Sequence, residues 1–183
     1  VLSFARLAYR VFDDLGKQNV VVLEETGKNL VIRRAAMEHR KELTLLGGSM
    51  EKNGYISQVK SMISELAQYR IEPEQMDGIL EGLEGQPRLY YKWKDIGILY
   101  QAFQERMAKD YVTAEELLEV LAEHAEESGL LSGCTIALDS YTGFTPIQLA
   151  LLKKLLPLAK KIQVTVTVDP RTDWGRQGKI HEL

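Results

Sequence analysis

Cys134-Thr135-Ile136-Ala137-Leu138-Asp139-Ser140-Tyr141-Thr142-Gly143-Phe144-Thr145-Pro146-Ile147-Gln148 is the stretch on which the reading of the fold turns. Its first five residues are a short apolar run that stops at Asp139, the pattern of a buried strand whose C-terminal end meets a polar site. Thr145, Pro146 and Gln148 then supply an N-cap, a first-turn proline and a reciprocal cap partner, which together open a helix. That helix is expected to reach about Leu158 and to close on Lys160-Lys161. Ile162 to Val168 alternates β-branched residues and ends at Asp169-Pro170. Strand, helix, strand in this order is a βαβ unit, with parallel pairing and a right-handed crossover. One such unit neither completes a sheet nor covers its faces, so more strands are expected outside the chain, mainly upstream.

Upstream of Gly133 the texture is helical. Phe4, Leu7, Ala8, Val11 and Phe12 form a stripe at offsets of three and four, with Ser3 as N-cap and Gly16 past the end. Asn19 to Leu23 is β-branched; Thr26 to Leu46 has helical spacing and is closed by Gly47-Gly48. Tyr55 to Tyr69 repeats the stripe, and Pro73 sits where a helix can start. A long helix is predicted over about Leu89 to Lys109, carrying Tyr90, Tyr91, Trp93, Tyr100 and Phe103, aromatics that fit a core or a lobe interface. Thr113 and Glu116 form a capping box ahead of Leu117, Leu118 and Leu121. The fold class is therefore α/β and predominantly α.

The 183 residues are 45% apolar and 27% charged, which excludes a disordered tail, a collagen-like fibre and a low-complexity linker. No apolar run approaches the roughly 18 to 20 residues that cross a bilayer, so no membrane span is expected. With a net charge of −3 and a pI near 5.7, this chain by itself should bind nucleic acid weakly. The single cysteine, Cys134, allows no internal disulfide and no cysteine-based zinc or iron–sulfur site, and fits a reducing, cytoplasmic setting. The chain starts at Val1 without a secretory leader pattern and stops soon after Gly175-Arg176-Gln177-Gly178, so it is expected to be a piece of a longer protein.

Chemistry is sparse. Open α/β sheets bind ligands outside the carboxyl ends of their strands, where Asp139 stands. In nucleotide hydrolases an aspartate there holds magnesium and the next acid polarises water, but here Ser140 follows. A strand-end turn acid is an equal alternative for Asp139. No G-x-x-x-x-G-K-[ST] loop and no G-x-S-x-G elbow occurs. His39, His124 and His181 lack metal-ligand spacing and read as surface residues. Glu115-Glu116 and Glu126-Glu127 read as solvated helix faces. In the opening helix, Arg6, Tyr9 and Arg10 fall within one turn of each other, with Phe4 at its start. Rings stack on bases and guanidiniums pair with phosphates or guanine edges, so the set could line a single-strand track. Taken alone, the segment is better explained as an ordinary amphipathic helix with two surface arginines.

Two separated segments shift that balance. Ser3-Phe4-Ala5-Arg6-Leu7-Ala8-Tyr9-Arg10 resembles the motif after the first strands of UvrD-type helicases, in the form S-F-x-R-L-A-[WY]-R typical of the AddB family. Those proteins are the B subunits of bacterial ATP-dependent helicase/nucleases. Thr135 to Asp139, then Ser140-Tyr141 and Phe144-Thr145-Pro146, is similar to the family's strand, D-G-[FY] and F-T-P. Between them, Gly54-Tyr55, Tyr69-Arg70-Ile71-Glu72-Pro73-Glu74, Lys94-Asp95-Ile96 with Leu99-Tyr100, and Leu121-Ala122-Glu123-His124 keep the same order. The resemblance spans nearly the whole chain.

It implies a piece of a helicase-like RecA domain at 1–16, a helical insertion at 17–132 and a truncated RecA-like βαβ unit at 133–183. It further implies a subunit whose hydrolytic acid pair is degraded, consistent with Ser140, and which scans single-stranded DNA for the recombination hotspot Chi beside an AddA-like helicase/nuclease partner. Carried over position by position, the DNA-reading residues are Phe4, Arg6, Tyr9, Asp139 and Tyr141. Phe4 and Tyr9 would stack on bases, Arg6 would meet a base edge or phosphate, and Asp139 and Tyr141 would shape the opposite wall of one shared groove. Tyr9 stands where tryptophan is frequent, and Ser140 where glycine is frequent, which bears on the aim of Tyr141. No catalytic residue, metal or cofactor is expected in this chain. The family's ATP and magnesium site belongs upstream of Val1, and its iron–sulfur cysteines and nuclease acids mainly downstream of Leu183. An active ATP-driven motor, or a scaffold whose aromatic helix docks a partner, are the alternatives.

Overall fold

Helix α1 (Phe4–Asp14) starts where the sequence places it, because Ser3 Oγ accepts the Arg6 amide at 3.3 Å. It stops because Gly16 takes φ 68°, which lets the Gly16 and Lys17 amides bond the Asp13 and Phe12 carbonyls at 3.2 and 2.8 Å. The computed structural model describes residues 1–17, 21–107 and 111–165. The expectations for Asn19-Val20, the helix end at Ala108-Lys109, Val166 to Asp169-Pro170, Gly175 to Gly178 and His181 lie outside the described residues.

Helices α2 (Glu25–Glu38), α3 (Asn53–Gln68), α4 (Met76–Glu81) and α5 (Pro87–Met107) enclose one apolar core, built on Ile32, Ile56, Ile63, Ile96, Leu99 and Phe103. A 3₁₀ turn at Pro73–Gln75, with the proline in its first turn, leads into α4. Helix α3 closes as α1 does, but with Arg70 rather than glycine at φ 58°. The Arg70 and Ile71 amides bond the Ala67 and Leu66 carbonyls, both at 2.9 Å.

Helical spacing extends the second helix to Leu46, whereas α2 ends at Glu38. The reason sits on α5. Asp95 is fully buried, and its carboxylate accepts the amides of Thr44, Leu45 and Leu46 at 2.8, 2.7 and 2.7 Å. Those three amides point to one carboxylate instead of to carbonyls four residues back, so the segment folds inward as a loop and buries Leu43, Leu46 and Met50. The aromatics of α5 also divide. Tyr100 and Phe103 are core, with the Tyr100 hydroxyl donating to the Ile71 carbonyl at 3.0 Å, but Tyr91 is exposed.

The second core joins the two ends of the chain. Helix α6 (Glu116–His124), opened by the expected Thr113–Glu116 capping box, packs between α1 and α7 (Pro146–Leu155). Leu117, Leu121, Leu151 and Leu155 meet Ala8, Val11 and Phe12 there. Core membership thus places α6 with the terminal elements, although its position in sequence groups it with the 17–132 insertion. Where the chain passes between the two cores, Val22 and Val112 bridge, the Leu23 amide bonding the Val112 carbonyl at 2.9 Å and the Val112 amide the Val21 carbonyl at 3.0 Å. Beside that crossing, buried Lys28 reaches Glu115 at 3.1 Å, and Arg70 reaches Glu119 at 3.2 Å.

Strands β1 (Thr135–Leu138) and β2 (Lys161–Val164) pair in parallel from Thr135 opposite Lys161 to Leu138 opposite Val164. The expected parallel βαβ order is present, but the expected burial is not: in β1 only Leu138 is buried, and Thr135 and Ala137 are exposed. Among the described residues, two strands with a single crossover helix leave one sheet face and the outer edges with nothing packed on them.

Removing the Asp95 carboxylate should open the loop before α3. Asp95→Ala is expected to lower unfolding free energy by about 3 kcal/mol, since Thr44 and Leu45 regain water while the Leu46 amide stays buried without an acceptor. Asp95→Asn should lose about half as much. Urea midpoints at unchanged slope would measure both.

Candidate nucleic-acid interface

The C-terminal end of β1 and the N-terminal end of α1 meet over the second core. Phe4 and Tyr141 lie with ring centroids 5.7 Å apart at 54°, and Tyr141 stacks on Phe144 at 4.9 Å and 27°. All three rings pack partly against the apolar cluster and remain partly exposed. Offset and tilted ring pairs of this kind hold one another's orientation. Phe144 stands in the Phe144-Thr145-Pro146 motif but not among the residues assigned to the site from sequence. That motif carries its signal: the cap at Thr145 fixes the backbone directly after Phe144, through Thr145 accepting the Gln148 amide and Gln148 accepting the Thr145 amide at 3.0 Å.

The other assigned residues do not join that cluster. At about 100° per residue, Arg6 and Tyr9 lie roughly 160° and 140° around α1 from Phe4. The buried face carries Ala8, Val11 and Phe12, so Arg6, Tyr9 and Arg10 form an exposed outer face, with Tyr9 44% accessible. The expected single groove lined by Phe4, Arg6, Tyr9 and Tyr141 therefore does not form: Phe4 meets Tyr141 on one side of α1, and Arg6 and Tyr9 face nearly the opposite way. Helical twist separates residues two and five apart that a linear motif reads as neighbours.

Asp139 follows the last residue of β1, is exposed, and accepts a hydrogen bond from the Thr165 hydroxyl. The Thr165 amide also donates to the Leu138 carbonyl at 2.9 Å. Asp139 thus ties the ends of the two strands together. Ser140 takes φ 64°, in the left-handed region. A glycine adopts that conformation freely; serine holds it here at a cost, and Tyr141 is aimed at Phe4 nonetheless.

Among the described residues no three His, Cys, Asp or Glu side chains converge to hold an ion. The lone half-buried Cys134 does not fit an iron–sulfur cluster, which takes several cysteines. His39 pairs with Glu42 at 2.9 Å, and His124 with Glu127 at 2.6 Å, both partly exposed. The hydrogen bond from His124, joined by one from Lys17, holds the Glu127 carboxyl below its ordinary range. Both contacts lie at the surface.

If the left-handed Ser140 is the strained link, Ser140→Gly should be neutral or raise stability by up to about 1 kcal/mol, the relief exceeding the entropy cost of glycine. Ser140→Val should lower it by at least that much. Thermal midpoints of the three proteins would decide it.

Residues 1–182 match a protein family described as "ADDB, N-terminal". The chain is 39% identical over its full length to the B subunit of the ATP-dependent helicase/deoxyribonuclease of Lachnoclostridium phytofermentans, covering 16% of that protein. It is 34% identical over 92% of its length to the B subunit of the same name from Clostridioides difficile, covering 14% of it. The chain thus spans about one sixth or less of the length of these curated relatives. A match that runs from the α1 motif through the helical core to β2 shows that the chain belongs to the AddB N-terminal family.

Proposed function

We propose that this chain is the part of a helicase/nuclease B subunit that holds single-stranded DNA during double-strand-break repair and recombination, without itself breaking a phosphate bond. The observation that carries the reading is the Phe4–Tyr141–Phe144 cluster, which brings rings from opposite ends of the chain to the end of a parallel strand. In open α/β sheets that end is where ligands bind, and exposed ring faces take bases of any sequence. A strand with one base on these rings and its backbone passing over the first turn of α1 reaches Arg6, then Tyr9 and Arg10, on the outer face. Asp139, engaged with Thr165, sets the floor of the aromatic end rather than acting as an acid. The two-stranded sheet is read as part of a RecA-like domain whose remaining strands belong to the longer subunit.

The longer subunit would work beside an AddA-like helicase/nuclease partner in the cytoplasm, with ATP, magnesium and the iron–sulfur cluster held by residues outside this chain. No helix among the described residues is long and apolar enough to cross a membrane.

With the full-length subunit assembled with its partner, Tyr141→Ala should weaken binding of an unpaired oligonucleotide roughly 5- to 100-fold, since stacking contributes about 1–3 kcal/mol per base. Tyr141→Phe should keep it. Phe4→Ala and Tyr141→Ala together should lose less than the sum, because the rings support each other. Arg6→Ala should flatten the salt dependence by about one phosphate contact. Affinity and salt slope indifferent to every one of the alanine changes would sink the reading.

A further inference from the structure

The first turns of α5 project beyond the helical core and carry an exposed set of cations around an exposed ring. Arg88, Tyr91, Lys92 and Lys94 are all exposed, Tyr91 to 41%. Arg88 and Lys94 stand three residues before and after Tyr91, about 60° to either side of it around the helix, and Lys92 lies beyond Arg88, about 100° from Tyr91. Tyr90 meets Tyr91 edge-to-face, with centroids 5.4 Å apart at 89°, which restrains the Tyr91 ring before any ligand arrives. Arg88 and Lys92, but neither Tyr91 nor Lys94, line an open depression of about 500 Å³ together with Gln86, Pro87 and Leu89.

The charge around this ring is unspent. Six of the other nine cations of the helical core, Lys28 and Arg106 among them, have carboxylate partners, whereas Arg33, Lys41 and Lys52 have none within 4.0 Å. Among the described residues, no carboxylate lies within 4.0 Å of Arg88, Lys92 or Lys94. The nearest acids along the sequence are Glu84, ahead of the helix, and Asp95, which is buried and committed to the loop amides. In a chain of net charge −3, three such cations about one restrained tyrosine make a local surface suited to a polyanion with flat, stackable groups.

We propose that Arg88, Tyr91, Lys92 and Lys94 form a second contact for single-stranded DNA, on the helical core and apart from the Phe4–Tyr141 cluster. This rests on the reading that the subunit handles unpaired DNA, but not on which residues at the sheet end do so. Tyr91 takes a base on its free face, and the three cations take flanking phosphates.

The test uses the full-length subunit assembled with its partner, and oligo(dT) carrying bromodeoxyuridine. Arg88→Ala, Lys92→Ala and Lys94→Ala combined should reduce the salt slope of binding by about 2, near 0.7 for each phosphate released on a single strand. Tyr91→Ala should weaken binding roughly 5- to 100-fold, with Tyr91→Phe close to the parent protein. Irradiation should attach the oligonucleotide to the Tyr91 peptide. Phe4→Ala and Tyr141→Ala proteins, tested in parallel, separate the two readings. A Tyr91 cross-link and salt effect that persist while those variants bind normally would remove the sheet-end site and keep this one. An unchanged slope with no Tyr91 cross-link overturns the proposal. So does an effect confined to blunt duplex, or weakened assembly with the partner subunit in place of weakened DNA binding.

Discussion

Burial of one face of α1 against α6 and α7 is the contact through which the two ends of the chain come to share a surface. Val11 and Ala8 have no exposed area, Phe12 almost none, and they close on Leu117, Leu121, Leu151 and Leu155. Each large apolar side chain removed from water in this way contributes about 1.5–3 kcal/mol, so a handful of them outweighs the entropy of closing so long a loop, which grows only logarithmically with length. Phe4 meets Tyr141 only because α1 is held there. The helical core between those ends then acts as a closed excursion, entering beside Val22 and leaving beside Val112.

That excursion has its own internal tie. Asp95 draws three consecutive amides into its carboxylate, and the loop so formed covers the end of the core with Leu43, Leu46 and Met50. Among the described residues the other buried charge, Lys28, lies at the seam between the two cores. Lys28 is buried yet lies within reach of Glu25 and Glu115, and the hydrogen bond from Lys60 holds the Glu25 carboxyl below its ordinary range. Burial pushes the Glu119 carboxyl up, against the opposing pull of Arg70. Because folding raises this carboxyl's pKa, its linked contribution to stability is present at low pH and lost as pH rises through the folded value.

Much of the local structure is legible from the chain. Ser3 and Gly16 bound α1, Thr113 and Glu116 open α6, and Thr145, Pro146 and Gln148 open α7, because each motif satisfies backbone groups within a few residues of itself. Two expectations fail for want of a distant partner. Helical spacing carries the second helix through Leu46 because nothing near Thr44 announces a carboxylate arriving from Asp95. The apolar run of β1 points to burial because such runs mark strands made for covered sheets, while the elements that would cover this one are not among the described residues.

The site shows the same division. Ring types, the strand-end position of Asp139 and the parallel βαβ order are determined by the sequence, since they follow from side-chain chemistry and from offsets of a few residues. Which residues face one another is decided by tertiary structure. Packing turns Phe4 toward Tyr141 and, through the twist of the same helix, turns Arg6 and Tyr9 outward; it also leaves Tyr91 in solvent while burying Tyr100 nine residues along the same helix. Contact between segments distant in the chain depends on how two cores pack, a property no local pattern carries.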